Sequence, residues 1–291
     1  MELFQYPYMQ RALIGALVIG LAAPALGIYL VQRRLALIGD GVGHVALTGV
    51  GAGLLLNRSP VLVAVIVASL GAIAIELVRA RGRTSGDLAL ALLFYGGIAG
   101  GVMLVGLSDS TNASLHSYLF GSLSTISVTD LTTIVVLGVA ILVTMLVLRP
   151  ALFAIGHDEE YARVSGLPVR TLNLVLAVAT AVTVTIAMRA VGVLLISALM
   201  VVPVAAAQQV TRGFRSTMTA AMALGLFAAG SGVYVAANAD TAPGASVVLM
   251  AIASFAVVAI GGVGWRAWQR RRVAPADAPA VEPHEVVLSQ S

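Results

Sequence analysis

Nine stretches of roughly 17 to 22 mostly apolar residues follow one another along this chain, each about long enough to cross a hydrocarbon core of ~30 Å as a helix. A backbone in lipid must satisfy its own hydrogen bonds, so this pattern predicts an all-α polytopic membrane protein. The spans read as Ala12–Val31, Leu35–Leu56, Val61–Val78, Leu88–Leu107, Leu131–Leu148, Leu172–Met188, Val191–Val210, Met218–Ala237 and Ala245–Val263. Eight would remain if one segment were re-entrant. Hydrophobic residues make up 59% of the 291, charged residues only 10%, and mean hydropathy is +0.99, which leaves little room for a soluble domain. No A-x-A-like cleavage site precedes Ala12–Val31, so it reads as a retained helix. Residues 1–272 form one membrane domain, and 273–291, rich in Ala and Pro, read as a disordered cytoplasmic tail.

The basic residues set the orientation. With the N-terminus outside and the C-terminus cytoplasmic, fourteen arginines fall on the inner side and only Arg11, Arg58 and Arg189 outside. Topology therefore accounts for the net charge of +4, and no nucleic-acid partner is needed. Two connections exceed a simple turn. The external one, Ser108–Asp130, carries a semi-apolar core, Leu115–Leu123, suited to an outer gate. In the internal one, Arg149–Arg170, acidic Asp158, Glu159 and Glu160 precede Tyr161 and Ala162, with a stop at Gly166 and Pro168. That order predicts a short surface helix with an acidic N-terminal end.

Two absences restrict the chemistry. Without cysteine there are no disulfides, iron–sulfur clusters or thiolate ligands, so any metal must be held by oxygen or nitrogen. All 17 basic residues are Arg, so the lysine of a P-loop is missing and this chain cannot be its own ATPase of that type. The absence of H-E-x-x-H argues against an intramembrane metalloprotease. The chain reads as a non-enzyme with no tightly bound cofactor.

Within the second apolar run stand Asp40 and His44, four residues and one helical turn apart, on one face. Ionisable groups at membrane depth are costly and mark transit pathways. Counted from Arg33 and Arg34, Asp40 lies roughly 9 Å and His44 roughly 15 Å inside. Carboxylate and imidazole make a half-site for Zn, Mn or Fe(II), and a symmetric dimer would supply two of each. Gly39, Gly41 and Gly43 loosen the helix there by up to ~1 kcal/mol each relative to Ala. The competing reading is that the pair fixes packing. Glu76 reads as an i,i+3 ion pair with Arg79, outside the site. Asp109 and His116 read as loop polarity, His157 and His284 as solvated, and Met188 and Met200 as packing.

Three separated stretches resemble the permease subunit of the zinc/manganese/iron ABC importers. These are LVQRRLALIGDGVGHVALTGVGAG (Leu30–Gly53), similar to the family's helix bearing an Asp and a His four apart, HDEEYARVSGLPV (His157–Val169), and VGVLLISALMVVPVAAA (Val191–Ala207). The resemblance implies a homodimeric pore in the bacterial cytoplasmic membrane. Its partners would be a separate ABC ATPase, an extracytoplasmic metal-binding protein and membrane lipid. Asp40 and His44 would contact the transported ion. Glu160, Ala162 and Gly166 form E-x-A-x3-G, similar to the loop that docks the ATPase, with Glu159, Glu160 and Arg163 as contacts. The alternatives are an iron–siderophore or cobalamin importer permease, which would need a wide non-coordinating pore, and a proton- or sodium-coupled metal transporter, in which Asp40 and His44 carry protons.

Overall fold

The structure, a computed structural model, describes residues 6–80, 86–108, 117–122 and 126–273. Among them run eleven helices: α1 Pro7–Gln32, α2 Ile38–Leu55, α3 Pro60–Ala80, α4 Gly86–Leu107, α5 Val128–Val147, α6 Arg149–His157, α7 Glu159–Val164, α8 Val169–Ala187, α9 Val193–Val210, α10 Phe214–Ala239 and α11 Pro243–Val273. A short helical stretch also occupies 117–120. Eight of these are long and apolar enough to cross a membrane, and α9 adds a shorter apolar stretch, Leu195–Val210. The nine expected spans and the eight-span variant thus differ only in how α9 is counted. Asp109, His116, most of the external connection and the 274–291 tail lie outside the described residues.

Helix starts follow from local chemistry. Proline opens α1, α3 and α11, where its missing N–H costs nothing. Ser127 and Asp130 close a capping box on α5, with the Asp130 amide donating to the Ser127 hydroxyl at 3.1 Å. Two boundaries differ from the apolar pattern. α2 begins at Ile38 because Arg33–Leu37 form a turn, and α11 continues beyond Val263 to Val273.

α1, α2, α8 and α9 form the interior, and α3, α4, α5 and α11 stand around it. α3 shows the sorting rule of a lipid-solvated bundle. Ala64, Ala68 and Ala72 are fully buried and let backbones approach, whereas Leu62, Ile66 and Leu70 face outward. In α8 the buried hydroxyls of Thr180, Thr183 and Thr185 each donate to the carbonyl four residues back, at 2.7–2.8 Å, so none is left unpaired.

Two polar clusters fasten opposite ends of the bundle. At one, Arg189 after α8 donates to Asp130 at 2.8 Å and to the Tyr118 hydroxyl at 3.2 Å. At the other, Arg33 joins Glu159 and Asn173, and Glu76 pairs with Arg79 at 2.9 Å as its spacing predicts.

Candidate functional site

α2 is continuous from Ile38 to Leu55 despite its glycines, which serve close packing. A Cβ on Gly49 or Gly53 would run into the backbone of Ala64 or Pro60 on α3, and one on Gly51 into Leu104 of α4. At Gly39, Gly41 and Gly43, where the sequence suggests a loosened helix, α2 is unbroken and each glycine meets a side chain of a neighbouring helix. Because α2 starts at Ile38, Asp40 occupies its first turn, where the positive end of the helix dipole favours a carboxylate. At 1.5 Å per residue Asp40 sits roughly 3 Å and His44 roughly 9 Å along this helix from Ile38.

His44 is 8% exposed and Asp40 half-buried. Phe94 of α4 meets the imidazole edge-on, with ring centroids 4.4 Å apart at 76°. Gly97 brings α4 against the same turn, since a Cβ there would lie 2.6 Å from the His44 carbonyl carbon. Thr48 Oγ1 donates to the Gly97 carbonyl at 2.8 Å and holds the two helices in this register. His44 Nδ1 is buried without a hydrogen-bond partner in the protein. An imidazole nitrogen left in that state retains its lone pair or proton for a ligand.

Successive α2 residues turn by about 100°, so Asp40 and His44 lie on an edge between two packed faces. Gly39 faces Ser197 and Met200 of α9, while Gly41 faces Leu90 and Leu93 of α4. Among the described residues α4 and α9 do not pack extensively on each other. Ser197 Oγ is buried, unpartnered and 2.8 Å from where a Gly39 Cβ would stand. No sequence signal marks this serine, one of many in apolar helices. No group of three or more His, Cys, Asp or Glu that could hold a metal occurs among the described residues.

The 149–170 segment folds as two helices, α6 and α7, rather than one. Asp158 caps α7 by accepting from the Tyr161 amide at 2.9 Å. α7 ends in a Schellman motif, in which Leu167 N–H donates to the Ala162 carbonyl and Gly166 N–H to that of Arg163, both at 3.1 Å. Gly166 has φ +84° with open space where a Cβ would be, so backbone conformation and not crowding calls for glycine. Ala162 is fully buried. Glu160 and Arg163 are exposed, alongside Tyr161 (70%) and Val164 (88%).

Glu159, with its side chain 42% exposed, reaches toward Arg33. Its carboxylate accepts from Arg33 Nη2 at 3.2 Å and from Arg163 at 3.1 Å, and Arg33 Nη1 donates to Asn173 Oδ1 at 2.8 Å. Desolvation pulls the Arg33 guanidinium below its ordinary pKa, and the charges of Glu76 and Glu159 pull it back. The sequence singles out Glu159 together with Glu160 and Arg163, but carries no signal for its contact with Arg33 or for the exposure of Tyr161 and Val164.

A profile of the ABC 3 transport family matches residues 5–261. The manganese transport system membrane protein MntC of Halalkalibacterium halodurans is 31% identical over 93% of this chain and 94% of its own. The high-affinity zinc uptake system membrane protein ZnuB of Haemophilus influenzae is 31% identical over 82% of this chain and 91% of its own. Among solved structures, PsaBC from Streptococcus pneumoniae in complex with Fab superposes with a TM-score of 0.80 at 28% identity, covering 88% of this chain and 92% of that one.

Proposed function

Since the chain belongs to the ABC 3 transport family, we propose that it is the membrane-spanning subunit of an ATP-driven importer of a divalent transition metal, zinc, manganese or iron. The observation that carries this reading is the Asp40–His44 edge. A buried imidazole whose Nδ1 has no hydrogen-bond partner in the protein stands one turn from a half-buried carboxylate, between α4 and α9, which do not pack extensively on each other. The names of the manganese and zinc relatives support the cargo class.

In this reading two copies of the chain face each other and together supply two Asp40 and two His44. Two ligands per copy hold the ion weakly enough to release it. The α6–α7 segment docks a separate ABC ATPase through Glu160, Arg163, Tyr161 and Val164, with Ala162 seated beneath and Gly166 ending the helix. An extracytoplasmic protein delivers the metal. The N-terminus lies outside, the C-terminus in the cytoplasm, and the membrane is the bacterial cytoplasmic membrane. No covalent chemistry occurs in this chain.

The test is uptake of competing radioactive zinc, manganese and iron by the complete transporter. Asp40→Ala and His44→Ala should each lower uptake on the order of tenfold or more, equivalent to ~1.4 kcal/mol of lost ion interaction, with the dimer still assembled. Heterodimers purified on two different tags, with His44→Ala in one copy, should be impaired as well. Unchanged uptake in both single variants would show the pair to be structural. Metal movement down a pH gradient in liposomes without any ATPase would contradict the ATP-driven reading.

A further inference from the structure

We infer that Arg33 is the positioning residue that carries motion of the α6–α7 segment to the turn bearing Asp40 and His44, through a clasp with Glu159 and Asn173. This inference rests on the proposed function, since it assigns a role to the ATPase-docking segment.

Three observations support it. First, Arg33 joins three elements at once. It follows the last residue of α1, binds Glu159 in the first turn of α7, and binds Asn173 in the second turn of α8. Its side chain is only 10% exposed, so the guanidinium cannot exchange these partners for water at little cost. Among the described residues, no other side-chain hydrogen bond links α7 to the α1–α2 turn.

Second, the turn that Arg33 begins is stiff. Arg34 N–H donates to the Val31 carbonyl at 3.1 Å and Leu35 N–H to that of Leu30 at 2.8 Å, while Ile38 N–H returns to Leu35 at 3.0 Å. Arg34 takes φ +58°, the left-handed conformation that a Schellman turn needs and that non-glycine residues seldom adopt. A turn closed from both sides transmits displacement instead of absorbing it. Third, the lever is short. Asp40 follows Arg33 by seven residues, five of them in the turn or at its edge, and α2 runs unbroken through His44.

The clasp therefore ties Glu159, the half-exposed carboxylate of α7 that reaches Arg33, to the start of the helix holding the proposed transit pair. Glu160, its neighbour, remains free to face the ATPase. Adjacent carboxylates divide the work, one toward the partner and one toward the pathway.

The experiment compares metal taken up per ATP hydrolysed, in liposomes holding this chain with its ATPase and its metal-binding protein. Arg33→Ala should keep ATPase association and hydrolysis within about twofold while uptake per ATP falls on the order of tenfold. Glu159→Ala should fall similarly, and the double variant no further than either single one, as expected of two residues acting through one contact. Arg33→Lys, which keeps a charge within reach of Glu159, should recover part of the loss. Unchanged uptake per ATP in Arg33→Ala, or additive losses in the double variant, would overturn the inference. A merely structural role would instead lower assembly, hydrolysis and uptake together. If Arg33→Ala does not assemble, Glu159→Gln, which keeps the shape and an acceptor, is judged by the same ratio. Absence of ATP-dependent uptake in the unmutated complex would refute the proposed function itself, whereas an active complex whose ratio ignores Arg33 would refute only the clasp.

Discussion

Gly97 carries no side chain because the backbone of His44 occupies the space one would need. Valine there should push α4 away from α2 at a cost of about 1–3 kcal/mol, the usual range for overpacking. A lowered unfolding temperature in detergent, together with weakened metal uptake, is the expected outcome. Gly166 is constrained differently, by its φ of +84° in open space. Gly166→Ala should cost roughly 1–2 kcal/mol locally. Because the strain falls on the end of α7, it should reduce recovery of the ATPase on co-purification while leaving assembly of the chain intact. The Asp40–His44 spacing is legible in sequence because one helical turn fixes it. The contact of Arg33 with Glu159 spans 126 residues and is not, since no local period relates them. The same limit hid Ser197, whose only mark is a buried hydroxyl without a partner.

At the scale of elements, α7 combines exposed side chains with well-defined ends. Asp158 caps it, the Schellman turn ends it, and Ala162 anchors it, so its stability does not draw on Tyr161 or Val164. Val164→Asp should therefore leave thermal stability within about 0.5 kcal/mol, as for other surface changes, yet weaken ATPase association by placing a charge in an apolar contact. Pull-down of the ATPase against the unfolding curve of the chain alone separates the two effects. The acidic start and glycine stop of this segment were readable from residue order. Its division into α6 and α7 was not, because Asp158 adopts an extended conformation that composition does not encode. The same limit applies to Leu35–Leu37, whose apolar side chains look like helix but sit in the turn before α2. Apolarity reports burial or lipid, not backbone geometry.

For the whole molecule, the two polar clusters divide the bundle into ends that the arginine distribution had already separated. Two of the three arginines assigned outside have local partners. Arg11 donates to the carbonyls of Pro7 and Ile126, and Arg189 to Asp130. Arg33, Glu76, Arg79, Glu159 and Arg163 gather at the other end, where the positive-inside rule puts the cytoplasm. The chain contains no cysteine, so single introduced thiols can report sidedness without a background. Arg58, between α2 and α3, and Val164, on α7, are both exposed and belong to opposite ends. In intact cells Arg58→Cys should react with a membrane-impermeant maleimide, and Val164→Cys should react only after permeabilisation. The reverse pattern would invert the topology and put α7 outside, where no ATPase could reach it. Labelling of both from outside would instead show that the connections between the spans do not alternate. Because α7, the Arg33 turn and the start of α2 share one end, the labelling result also fixes from which side Asp40 is approached first.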